Sequence, residues 1–178
     1  MNRLPIIPNW PVPLLMVAVA SLAACGNDAV PDDEINPVGG PEAARILSPE
    51  ELLAGANVPQ LDLSPMNEAE IRQIGLGPRV CHFRYTTSGK PVLALEPQSA
   101  EGEPAGVAKM KGDLLALDGR VADQGYVLTA EPVAITLVPD GGVAGLDPVG
   151  SDRLEATVVL EIEEELRVGY RGYFQCTG

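Results

Sequence analysis

Aromatic residues are scarce in this 178-residue chain: one Trp, two Phe and four Tyr. A carbohydrate platform built from stacked rings is hard to assemble from so few, and a folded core must rest mainly on Val, Leu, Ile and Ala. Histidine is scarcer still, with His82 alone. That removes most zinc ligand sets and leaves a serine or cysteine nucleophile only one candidate base. Basic residues number 12 against 25 acidic ones, a formal charge of −13. A surface of that sign argues against nucleic acid as a partner, because nucleic acid rewards basic patches. It also argues against lying on anionic lipid other than through an anchor. It suits a protein kept soluble by its charge, or one whose partner is basic. No apolar run reaches the roughly 20 residues that a membrane-spanning helix needs.

What is present begins at the N-terminus. Arg3 supplies a positive charge, and residues 14–24 (LLMVAVASLAA) are uncharged and end in small residues. This is the layout of a cleaved secretory signal, assigned to residues 1–24. Pro5, Pro8, Pro11 and Pro13 depart from a clean signal but precede its apolar stretch. The run Leu22-Ala23-Ala24-Cys25 resembles the lipobox of bacterial lipoproteins. The resemblance implies lipidation of Cys25: its thiol is joined to diacylglycerol, the chain is cut just before it, and the new amine is acylated, palmitate being the typical chain. The membrane is then a partner through the lipid anchor. Gly26 stands where an aspartate would retain such proteins in the inner membrane. The expected location is therefore the outer membrane, facing the periplasm. The competing reading is an ordinary signal cut near Ala24, with Cys25 left as a free thiol.

Three cysteines are present, Cys25, Cys81 and Cys176. With Cys25 carrying lipid, an even pair remains in an oxidising compartment, where disulfides persist. A Cys81–Cys176 bridge is expected, tying the first strand of the folded domain to its last.

The rest of the chain divides by composition. Residues 25–45 are rich in Gly, Pro and acid and read as a flexible tether. Residues 46–78 form a short helical preface. Ser48-Pro49-Glu50-Glu51 offers an N-cap, a proline in the first turn and a capping-box glutamate; Asn67-Glu68-Ala69-Glu70 repeats the logic, with Gly75 as the stop. From residue 79 to 178 the period changes to two. Strands are expected over 79–87, 91–96, 106–111, 113–118, 125–131, 132–139, 154–163 and 166–175, with a Gly-rich loop at 140–152. Val80, His82 and Arg84 should face one way, and Cys81, Phe83 and Tyr85 the other. The fold class is mainly β: a small antiparallel sandwich or barrel preceded by one or two short helices.

No catalytic set emerges. His82 and Cys81 are neighbours in a strand and point to opposite faces, so His82 reads as a surface or rim residue. Glu161, Glu163, Glu164 and Glu165 are acidic enough for calcium but lack a recognised ligand spacing; a solvated hairpin tip explains them. No metal site and no cofactor is expected. Lys109, Lys111 and Arg120, and Arg167 and Arg171 beside Tyr170 and Tyr173, are the distinctive cationic groups. They are expected to pair with the chain's own carboxylates.

Two resemblances add to this. Residues 79–95 (RVCHFRYTTSGKPVLAL) and 169–176 (GYRGYFQC) resemble small, uncharacterised bacterial lipoproteins of the domain-of-unknown-function kind, which implies the two-cysteine pattern and no activity. Val80-Cys81, the segment 91–95 and the segment 109–117 are similar in style to inhibitors of c-type lysozyme, small disulfide-bearing β-barrels that are often lipoproteins. The Ser-Gly-x-x-Tyr loop of those inhibitors is absent, since Ser88-Gly89 is followed by Pro91 and Val92. The expected function is that of a non-enzymatic, anchored envelope protein with a binding or structural role and an envelope protein as partner. The alternative is an inhibitor of a lysozyme-type muramidase.

Overall fold

The structure, a computed structural model, describes residues 43–99, 102–142 and 153–177. The signal, Cys25, most of the tether and most of the Gly-rich loop lie outside the described residues. Eight antiparallel strands in simple up-and-down order close into a barrel. They are β1 (Val80–Arg84), β2 (Leu93–Glu96), β3 (Ala105–Met110), β4 (Asp113–Ala122), β5 (Gly125–Ala130), β6 (Val133–Pro139), β7 (Arg153–Ile162) and β8 (Leu166–Thr177). Pairing of β1 with β8 closes the seam, and Cys81 lies directly opposite Cys176 in that register. The two are joined by a disulfide, Cα–Cα 3.8 Å, across a separation of 95 residues. Of the two expected fold classes, the chain adopts the barrel.

Alternation of side chains makes the barrel solid. β6 shows it most cleanly: Val133, Ile135 and Leu137 are buried, while Ala134, Thr136 and Val138 are half-buried. Phe83, Leu93, Leu95, Met110, Leu115, Leu128, Ile135, Leu137, Leu160 and Phe174 all lie within 1% of full burial and belong to one core cluster. An eight-stranded barrel is just wide enough to be filled by its own side chains, and this one is. Leu, Val and Ile supply most of that filling, as the shortage of aromatics requires.

One strand departs from expectation. Asp118-Gly119 has the composition of a turn, yet β4 runs on to Ala122. The second half of β4 pairs with β5, Asp118 opposite Thr129 through Ala122 opposite Gly125. Gly119 is buried there for steric reasons: a Cβ would meet Leu128 Cδ2 at 2.7 Å and the Pro104 carbonyl oxygen at 2.8 Å. The predicted β3–β4 hairpin is present, turning at Lys111 and Gly112, both with positive φ (53° and 91°). Two central residues of that kind match the right-handed twist of the flanking strands.

The preface closes one end of the barrel. α1 (Pro49–Leu53) is capped by Ser48 and α2 (Glu68–Gln73) by Asn67, both with complete capping boxes. Between them a short 3-10 turn, η1, covers Val58–Gln60. Pairing of β4 with β5 begins only at Asp118, so the start of β4 is free to bond elsewhere. Leu114 N–H donates to the Arg45 carbonyl (2.8 Å), and Leu47 N–H donates to the Leu114 carbonyl (2.9 Å). Farther on, Ser64 N–H donates to the Lys109 carbonyl and Met66 N–H to the Pro91 carbonyl. The chain thus crosses the barrel mouth between these anchor points. Leu52, Leu61 and Leu63 enter the same core cluster as the strands. α2 then lies on the outer face, where Met66 and Ile71 pack with Ala94, Val107 and Leu114. Preface and strands belong to one compact unit, Glu42–Gly178.

Candidate functional site

Three polar constellations stand out among the described residues. The first is at the plugged mouth. Tyr170 Oη donates to Asp62 Oδ1 (2.7 Å), and Tyr85 Oη donates to the Leu63 carbonyl (3.1 Å). The rings lie 5.4 Å apart. Burial, and then the Asp62 carboxylate, push both phenols well above the ordinary tyrosine value. Phenols held protonated in this way act as hydrogen-bond donors that fasten the plug.

The second joins α2 to the barrel. Lys109 Nζ lies 2.6 Å from Glu70 Oε1, and both side chains are more than four-fifths buried. Burial alone would raise the Glu70 carboxyl. The Lys109 ammonium and the N-cap backbone of Asn67 outweigh it and hold the carboxyl below its usual range. Lys111 reaches in the other direction, donating from Nζ to the carbonyls of Leu52 (3.0 Å) and Ala54 (3.4 Å) at the C-terminal end of α1. A cation there offsets the helix dipole. Of the distinctive cations, Lys109, Arg167 (to Glu161, 3.2 Å) and Arg171 (to Glu155, 3.9 Å) pair with carboxylates. Lys111 instead serves a helix end.

The third is a groove of about 650 Å³ on the outer surface, where the coil after α2 runs beside β2, β3 and β4. Its walls include Ile74, Leu76, Pro78, Ala105 and Leu117; Glu96 and Asp118 are its carboxylates. Glu96 is only 8% exposed. Its Oε2 accepts a hydrogen bond from Gly77 N–H (3.0 Å). Gly77 has no side chain because none fits: a Cβ would collide with Glu96 Oε1. Among the described residues, Oε1 accepts no hydrogen bond, and neither Glu96 nor Asp118 has an ion-pair partner. No motif in the sequence marks this groove, since Gly77, Glu96 and Asp118 are far apart in the chain. The nearest signal is a glutamate ending the otherwise apolar strand Leu93–Glu96.

His82 differs from expectation. It is 5% exposed rather than at a rim. The outward face of β1 is itself covered, so outward does not mean exposed there. Its Nδ1 lies 3.5 Å from an Arg84 guanidinium nitrogen, and its Nε2 is buried without a hydrogen-bond partner. Burial, then the Arg84 charge, lower its pKa, with Glu68 opposing them. The imidazole is thus walled off from solvent. Cys81 and Cys176, being bridged, offer no thiolate. Among the described residues no three His, Cys, Asp or Glu side chains converge on a point where a metal ion would be held. Glu163, Glu164 and Glu165 form the exposed β7–β8 turn, with Glu163 at φ 44°. Cys25 lies outside the described residues.

No curated protein and no solved structure matches the chain. One family model matches, described as "Domain of unknown function (DUF6692)", and it covers residues 21–178. With the greater part of its length inside that match, the chain belongs to the DUF6692 family.

Proposed function

We propose that this protein is a lipid-anchored envelope protein whose barrel binds a partner and performs no catalysis. The observation that carries this reading is the solid core: inward positions are filled by apolar side chains, so the action falls to the outer surface. The outward positions carry Lys109, Asp118, Arg120, Glu155 and Arg171. Apolar inside and charged outside is the reverse of a barrel that spans a bilayer. Attachment then rests on Cys25, whose motif Leu22–Cys25 falls inside the segment shared with the family. Two or more acyl chains hold a protein on a membrane stably. The disulfide suits an exported chain, and the outer membrane, facing the periplasm, is the location that Gly26 favours.

The test is crosslinking in living cells, followed by capture of the full chain in detergent and mass spectrometry. One dominant envelope protein, crosslinked far beyond its abundance, is the expected result. Crosslinks that merely track the abundance of envelope proteins contradict a binding role.

A second reading, inhibition of a lysozyme-type muramidase, draws on the charge of −13, which complements a basic enzyme. It predicts that the full chain protects cell walls from a basic lysozyme. Absence of protection at high micromolar concentration removes it.

A further inference from the structure

We infer that the groove between the α2–β1 coil and strands β2–β4 is a pocket for an arginine side chain presented by a partner polypeptide. The inference deepens the binding role proposed above by naming the chemistry of the partner.

Three features point to a cation of this kind. Glu96 is a carboxylate more than nine-tenths buried, with one oxygen held by Gly77 N–H and the other taking no hydrogen bond among the described residues. That second oxygen is not sealed from solvent, and a carboxylate held on one side by a backbone amide offers the other side to a cation in the groove. Asp118 supplies a second negative charge in the same groove. The apolar side chains of Ile74, Leu76 and Pro78 line the groove beside them. A lysine ammonium is strongly hydrated and gains little from such walls. A guanidinium is weakly hydrated, planar and able to pair with a carboxylate along one edge while its faces and its methylene stem rest on apolar surface. The net charge of −13 draws a basic partner towards the protein.

Gly77 is part of the design. Its missing side chain lets Glu96 fold beneath the coil, and its amide fixes the carboxylate at the site. The groove also has room beyond a single side chain, with Gln98 in its lining for a neighbouring peptide group of the ligand.

The test uses the full chain in detergent and the peptide N-acetyl-Leu-Arg-Leu-amide, followed by amide chemical shifts of Gly77, Glu96, Gly106 and Asp118. Saturable shifts confined to these residues are expected. The same peptide with citrulline, which keeps the shape and loses the charge, should bind at least about tenfold more weakly. Glu96→Gln retains an acceptor for Gly77 N–H and should weaken binding by about tenfold, and Asp118→Asn by about threefold. Thermal melts of both variants check that the fold persists. If Glu96→Gln fails to fold, Asp118→Asn and the citrulline peptide decide the matter. Shifts scattered over the acidic surface, or equal binding of the citrulline peptide, overturn the inference. So does a partner that crosslinks in cells equally well to wild type and Asp118→Asn while the arginine peptide does not bind. That last result leaves the binding role standing and removes the groove alone.

Discussion

His82 shows how far a single residue's setting departs from its pattern. In the sequence it alternates with Cys81 and Phe83, and alternation places it on the outer face. The structure agrees about the face, but that face is covered there. Covering is a long-range fact, invisible in a strand's own period. The consequence is measurable. Burial lowers the His82 pKa in the folded state, while the unfolded chain keeps about 6.5. The unfolded state therefore binds the proton first as pH falls. Stability is intact above about pH 6.5 and declines below it, by up to about 1.4 kcal/mol per pH unit, until the folded pKa is reached. Glu70, held below the ordinary carboxylate range, stays ionised in that window. His82→Leu removes the proton site without emptying the space. Urea unfolding between about pH 5 and 6.5 should show a slope in wild type and a much flatter line in the variant. Equal slopes contradict the account of His82.

At the scale of elements, strands such as β6 were legible because apolar residues recur at every second position and form the more deeply buried face. The exception is instructive: Asp118-Gly119 reads as a turn by composition, but Gly119 is a glycine of close packing inside β4. Both helix starts were legible from their capping boxes, which are local chemistry. What the preface covers was not, because Leu52, Leu61 and Leu63 pack on strand residues distant in the chain. The pairing of Lys109 with Glu70 is the polar link between α2 and the hairpin. Lys109→Met leaves Glu70 without its partner in a largely buried place. A loss of about 2 kcal/mol is expected from urea unfolding. The double variant Lys109→Met with Glu70→Leu should recover part of it, since no charge is then stranded. A double variant worse than the sum of the singles contradicts this view of α2 docking.

Across the whole molecule, the disulfide closes the one seam that joins the first strand to the last. The cysteine pair was foreseeable by counting, given a lipidated Cys25, whereas the groove was not. Counting works on composition; Gly77, Glu96 and Asp118 come together only through the coil after α2 and the pairing of β2, β3 and β4. Replacing Cys81 and Cys176 together by Ala opens a loop on the order of 100 residues, and the chain-entropy model assigns such a loop about 4.7 kcal/mol. The variant should unfold at a markedly lower urea concentration than wild type, and reduction of wild type should reproduce the shift. Unchanged midpoints mean that the barrel seam holds without its staple.

The central claim is that this barrel works from a membrane to which Cys25 fastens it. Intact-mass and peptide mass spectrometry of the chain isolated from its own cell envelope tests that claim most directly. The predicted result is a mature chain beginning at Cys25, with the mass of diacylglycerol on its thiol and an acyl group on its amine. A chain cut elsewhere, or one carrying an unmodified Cys25, contradicts it.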